Sequence, residues 1–193
     1  MRSLRAAVGA SAAALLLLAG CGGDPDPGDP SSTWTPTGTP ESPTSAATQA
    51  PVEPELPQAA TKATEDGARA FIGYYWELIN YVQVTGDVKE LKRLSSTTCG
   101  GCQRAISAVE TLYRDGGHAE GGQYQLKIDQ IGEVKTASNS LYGVQAQIEV
   151  RNDEQLITRP DGATETSAPK SSRFNIYATW TGRVWRIDIL EPR

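Results

Sequence analysis

"YGVQAQIEV", residues 142–150, decides how the second half of the chain is read. Val144, Ala146, Ile148 and Val150 alternate with Gly143, Gln145, Gln147 and Glu149. A period of two places every apolar side chain on one face of an extended strand. The same alternation surrounds it. Tyr124, Leu126 and Ile128 are separated by Gln125 and Lys127; Phe174, Ile176, Ala178 and Trp180 by Asn175, Tyr177 and Thr179; Trp185, Ile187 and Ile189 by Arg186 and Asp188. One apolar and one mostly polar face per strand is what an antiparallel sheet covered on one side requires. Thr181-Gly182-Arg183 reads as a tight hairpin between the last two strands. "TRPDGATETSAPK", residues 158–170, reads as a long polar loop leading into them.

Upstream the period changes. Ala68, Phe71, Ile72, Tyr75, Leu78, Ile79 and Val82 recur at steps of three and four, one broad apolar stripe on a helix. Thr85-Gly86 ends it with a residue free to take the left-handed cap conformation. Asp87 is placed to cap a short second helix over residues 88–94. A third helix follows, with Ile106, Val109 and Tyr113 on one face, and stops at Asp115-Gly116-Gly117. Helices first and strands afterwards indicate an α+β domain over residues 58–193, with N-terminal helices packed on a curved antiparallel sheet.

The first 57 residues are of another kind. "MRSLRAAVGASAAALLLLAGC" pairs a basic start, Arg2 and Arg5, with an apolar run from Ala6 to Leu18. That is the anatomy of an export signal, expected to occupy residues 1–20. The run is shorter than the roughly 20 residues a bilayer span needs. It ends in Leu18-Ala19-Gly20-Cys21, which resembles the lipobox of bacterial lipoproteins. The resemblance implies cleavage before Cys21 and lipidation of its thiol; two acyl chains give stable membrane attachment where one gives marginal binding. Residues 22–57 are dense in Pro, Thr, Ser and Gly, carry Trp34 as their one aromatic residue, and show no apolar face. Such a segment cannot offset its ordering entropy, so residues 21–57 are expected to form a disordered tether.

Six acids, Asp24, Asp26, Asp29, Glu41, Glu53 and Glu55, lie in the tether without a Lys or Arg, whereas the remaining domain is nearly balanced in charge. A balanced domain argues against nucleic acid, whose binders carry basic patches.

With Cys21 committed to lipid, Cys99 and Cys102 remain as an even pair in an oxidising compartment, where thiols end as disulfides. A thioredoxin-like catalyst would set the first cysteine after a strand. Here a helix and a polar loop precede it. A single CxxC also lacks the second ligand pair of a zinc site. The reading taken is therefore a structural disulfide, with no metal and no cofactor.

Candidate chemistry is sparse. The single histidine, His118, is flanked by glycines in "DGGHAEGG" and reads as a loop residue. No Ser/His/Asp or Cys/His set can be argued from spacing, so no catalytic residue is assigned. Asp129, Asp188 and Tyr177 fall on polar strand faces. The aromatic residues leave two readings: core with a covering layer, the one preferred, or an apolar pocket lined by Tyr75, Trp76, Trp180 and Trp185. Trp76 is expected to point away from the core stripe.

Three helices followed by a curved antiparallel sheet resemble the nuclear-transport-factor-2-like, cone-shaped α+β fold. More specifically, "ELPQAATKATEDGARAFIGYYWELINYVQVTGDVKELKRLSSTTCGGC", residues 55–102, resembles a family of lipoproteins of unknown function from high-GC Gram-positive bacteria. The pattern "AF..YY..L.NY...TGD...L..LS...C..C" recurs there after a lipobox and a Pro/Thr tether. The resemblance implies a lipoprotein on the outer face of the cell membrane and names no activity.

The functional expectation is a non-enzymatic binding or interaction module, held to the membrane by its N-terminal lipid and facing an unidentified protein or cell-envelope partner. The alternative is a small-ligand carrier or enzyme using a pocket between helices and sheet. A third reading is an assembly factor working through the polar sheet face, Gln145, Gln147, Glu149, Asn175, Tyr177 and Arg186.

Overall fold

The computed structural model describes residues 50–135 and 141–193. The expected signal peptide, Cys21 and all but the last residues of the tether lie outside the described residues. No helix among those described is long and apolar enough to cross a membrane.

After a short 3-10 turn at Gln58–Thr61, the helices are α1 (Glu65–Thr85), α2 (Lys89–Arg93) and α3 (Gly100–Arg114). The strands are β1 (His118–Gly121), β2 (Tyr124–Lys135), β3 (Tyr142–Asn152), β4 (Gln155–Thr158), β5 (Thr164–Ser167), β6 (Lys170–Trp180) and β7 (Trp185–Pro192). The Thr64 hydroxyl caps α1 by accepting from the Gly67 N–H, and Glu65 and Asp66 add charge that suits the positive end of the helix dipole. Gly86 closes α1 at φ 74°, as its position in the sequence implies. A side chain there would also strike the ring of Tyr113, near the end of α3.

The helices pack on a four-stranded antiparallel sheet of order β2-β3-β6-β7. Val144, Ala146 and Ile148 of β3 face inward opposite Ala178, Ile176 and Phe174 of β6. Above them lies the α1 stripe, Ala68, Phe71, Ile72, Tyr75, Leu78 and Val82, almost fully shielded from water. This is the α+β arrangement expected from the change of period.

The loop between α2 and α3 is stitched to the last strand. Ser96 N–H donates to the Ile187 carbonyl at 2.8 Å, and Ile187 N–H donates to that of Leu94 at 2.9 Å. The Tyr75 and Ser95 hydroxyls share a buried hydrogen bond of 2.8 Å. Trp185 Nε1 donates to the Lys62 carbonyl at 3.0 Å, so the final strand also holds the segment that precedes α1.

Three features depart from the sequence reading. First, residues 158–170 are not simply a loop: β1, β4 and β5 form a second, three-stranded antiparallel sheet, and His118 begins its first strand. Second, β-bulges interrupt the alternation at Asp129 and at Asp188. A bulge adds one residue to one strand and reverses every side chain beyond it. Ile189 therefore pairs with Tyr177 on the outer face, and Leu190 takes the inward position. Third, Trp76 is buried, because its ring turns onto Phe174 of β6, 6.5 Å between centroids.

A candidate ligand groove between helices and sheet

The sheet extends beyond the cover that the helices give it, and a groove of about 430 Å³ opens there. The volume lies in the ~300–1,000 Å³ range of small-molecule sites. Trp76 and Ile79 of α1 and Gly101, Arg104 and Ala105 of α3 form one wall; Tyr124 of β2, Val150 and Asn152 of β3, Lys170, Ser172 and Phe174 of β6, and Leu190 of β7 form the other.

The polarity of the groove follows from strand register. Successive inward pairs from β3 and β6 run Ile148 with Phe174, Val150 with Ser172, and Asn152 with Lys170. The inner face thus changes from apolar to polar to cationic over three pairs, along the direction in which helix cover gives out. Trp76 meets Phe174 at the dry end, the two rings tilted by 50°. Arg104 and Lys170, both solvent-exposed, stand at the mouth.

Two structural devices hold this geometry. At the start of α3, Cys99 and Cys102 are joined by a disulfide, with both residues at most 2% exposed. Cys99 also caps the helix, its sulfur accepting from the Cys102 N–H. The bridge sets Gly101 so close to β7 that a Cβ would lie 2.2 Å from the Leu190 carbonyl oxygen. Glycine is required by this approach rather than by its backbone angles. At the other wall, Asn80 of α1 acts as a surrogate strand for Tyr124: its Oδ1 accepts from the Tyr124 N–H at 2.7 Å and its Nδ2 donates to the Tyr124 carbonyl at 3.0 Å. Burial raises the Tyr124 hydroxyl above its ordinary pKa, so it is a neutral wall group.

Among the described residues, neither Arg104 nor Lys170 enters an ion pair. The groove lining contains no carboxylate, imidazole or thiol. Its chemical resources are an aromatic and aliphatic wall, two guanidinium or ammonium charges, and the neutral hydrogen-bonding groups of Asn152 and Ser172. Those resources suit holding and orienting a bound molecule. The lining offers no acid–base pair and no activated nucleophile of the usual kinds.

Of the four aromatic residues expected at a pocket, the structure places Trp76 alone in this groove. Tyr75 and Trp185 belong to the core, at 1% and 0% exposure. Phe71 stacks on Trp185, and Tyr142 and Trp180 meet it edge-on, each 5.6 Å between centroids. A Trp ring surrounded in this way fills the interior that an open pocket would need. Burial pushes the Tyr75 hydroxyl up to about 12, with its Ser95 hydrogen bond acting in the opposite direction. Asp188 is engaged by Thr179 and Arg186, and Asp129 by Lys127, as solvated sheet-face carboxylates.

Arg104, Lys170, Ser172, Phe174 and Leu190 were not legible as a set. They come from three elements, and Leu190 enters only through the bulge at Asp188. The available signal was the loss of apolar alternation in "KSSRF", residues 170–174, where an inward-facing strand position becomes Ser and then Lys.

Residues 36–191 match the family described as "Family of unknown function (DUF6318)". No curated protein matches the chain. Among solved structures, the intermembrane space region of the chloroplast protein ARC6 is similar at 11% identity and TM-score 0.47, covering 67% of this chain and 98% of that one. Aln2 from a Streptomyces species is similar at 9% identity and TM-score 0.40, covering 68% of this chain and 93% of that one. An uncharacterized protein with a cystatin-like fold from Caulobacter vibrioides is similar at 14% identity and TM-score 0.39, covering 66% and 88%.

Proposed function

The chain belongs to the family of unknown function DUF6318, and we propose for it the role of a membrane-anchored, extracytoplasmic lipoprotein that binds a ligand in the groove between its helices and sheet. The anchor is the lipidated Cys21, placed by the Leu18-Ala19-Gly20-Cys21 sequence at the outer face of the membrane once residues 1–20 are removed.

One observation carries the binding reading. The interior between α1 and the sheet is filled by Phe71, Tyr75, Leu78 and Trp185, while the space left open lies at the end of the sheet with an apolar floor and a cationic mouth. Binding rather than catalysis is supported by a lining without carboxylate, imidazole or thiol.

The test is photolabelling of the full chain with 3-azioctanol, a neutral apolar probe, followed by mapping of the adducts. Adducts are expected on Trp76, Phe174 and Leu190. Ala105→Trp, a change at an exposed position of the groove wall, should abolish them. Labelling confined to other surfaces in both proteins would defeat the reading. For the anchor, Cys21→Ala should move the protein from the membrane fraction to the soluble one.

A further inference from the structure

We infer that the ligand is an anionic, single-chain amphiphile, its carboxylate or phosphate head held between Arg104 and Lys170 and its tail lying against Trp76, Phe174 and Leu190. This inference rests on the groove being a binding site and adds the chemical class of the occupant.

The argument is one of complementarity. The domain as a whole is nearly balanced in charge, yet the groove lining holds two cations and no acid. The two cations arise from different elements, Arg104 from the first turns of α3 and Lys170 from the first residue of β6, so nothing in local sequence requires them to share a rim. Guanidinium and ammonium groups with no side-chain acid in an ion pair are free to take an external anion. Inward from them the register runs through Ser172 and Val150 to Phe174 and Trp76. A ligand polar at both ends would leave groups unpaired against that aromatic floor, and a fully apolar one would leave the cations unused. An amphiphile with one charged end matches both. Groove volume favours a single chain of moderate length over a two-chain lipid.

Lys170 also borders a neighbouring cleft with Glu149, Arg151 and Asp153, so its contribution is separated from that of Arg104 by testing each alone.

The experiment is calorimetric titration of the full chain, carried in phosphatidylcholine nanodiscs, with hexanoate, octanoate, decanoate and octanol, empty nanodiscs serving as blank. Affinity should rise about fourfold per methylene. Octanoate should bind roughly tenfold more tightly than octanol. Arg104→Gln and Lys170→Gln should each reduce that preference when made alone, and together remove it. Nanodiscs containing an anionic lysophospholipid that displace octanoate identify the membrane as source of the amphiphile; failure to displace, with octanoate bound, identifies a soluble one. Equal binding of octanoate and octanol, or a preference that survives the double substitution, overturns the anionic head while the groove remains a site. Absence of binding by all four probes, together with absent azioctanol adducts, overturns the groove itself.

Discussion

Replacing both Cys99 and Cys102 with alanine tests how much of the domain depends on the bridge at the start of α3. The disulfide closes a loop of only four residues, for which the chain-entropy relation gives about 2 kcal/mol. Both sulfurs are buried, and each is comparable to a methylene, about 0.8 kcal/mol in transfer with a further cavity contribution. The pair of alanines is therefore expected to cost about 4 kcal/mol, a large share of the ~5–15 kcal/mol of a typical domain. Reduction without substitution should cost about half of that, since the sulfurs stay in place. Urea unfolding followed by far-UV circular dichroism resolves the two. With a slope near ~2 kcal/mol/M, the midpoint should fall by about 2 M for the alanines and about 1 M on reduction. A midpoint shifted by less than ~0.3 M would show that the cysteines do not brace the fold. A thiol-exchange activity lost without change in stability would show that the pair is catalytic. Near-complete burial predicts a related kinetic result: the native protein should resist mild reductant for as long as it stays folded.

Two further perturbations address other joints. Gln83→Ala removes donation to the Gly122 carbonyl and acceptance from Gln155 Nε2, bonds that tie α1 to the small sheet; a loss of about 1–2 kcal/mol is expected, and hydrogen exchange should accelerate in residues 118–121 and 155–158, with unchanged exchange there showing that these bonds do not hold the small sheet. Tyr75, whose pKa is raised from 10.0 to about 12, contributes stability in full below pH 10 that is lost as pH climbs through the folded value; Tyr75→Phe should flatten the decline of the urea midpoint between pH 10 and pH 12, and an equally steep decline in the variant would refute the linkage.

The helices and the four long strands were legible because their patterns are long and regular: the α1 stripe repeats from Ala68 to Val82, and β3 alternates without interruption from Val144 to Val150. What was illegible has particular causes. A bulge leaves no compositional mark, so Ile189 looked inward until pairing with Tyr177 placed it outward. Trp76 stands off the apolar stripe by helical angle, but α1 is covered on more than one side, and Phe174 gives its ring a partner. The strands of the small sheet are four residues each and mostly polar, too short and too wet to show alternation. Asn80 and Gln83 carry no pattern that marks their role; they are the groups through which α1 satisfies backbone at Tyr124 and Gly122. The groove was illegible as a site because it is made by the end of cover over a sheet, a property of element lengths rather than of any motif.

The placement of β7 has a consequence for biosynthesis. Trp185 and Ile187 are the centre of the core, Ser96 and Leu94 hydrogen-bond to Ile187, and Trp185 reaches back to Lys62 across 123 positions of sequence. Helices α1 to α3 and strands β1 to β6 can all have been synthesised while the cavity meant for Trp185 is still vacant and the α2–α3 loop has nothing to pair with. The core is therefore complete only once β7 is in place. For a protein exported as proposed, we expect such dependence on β7 to leave the polypeptide unlocked until that strand has crossed the membrane.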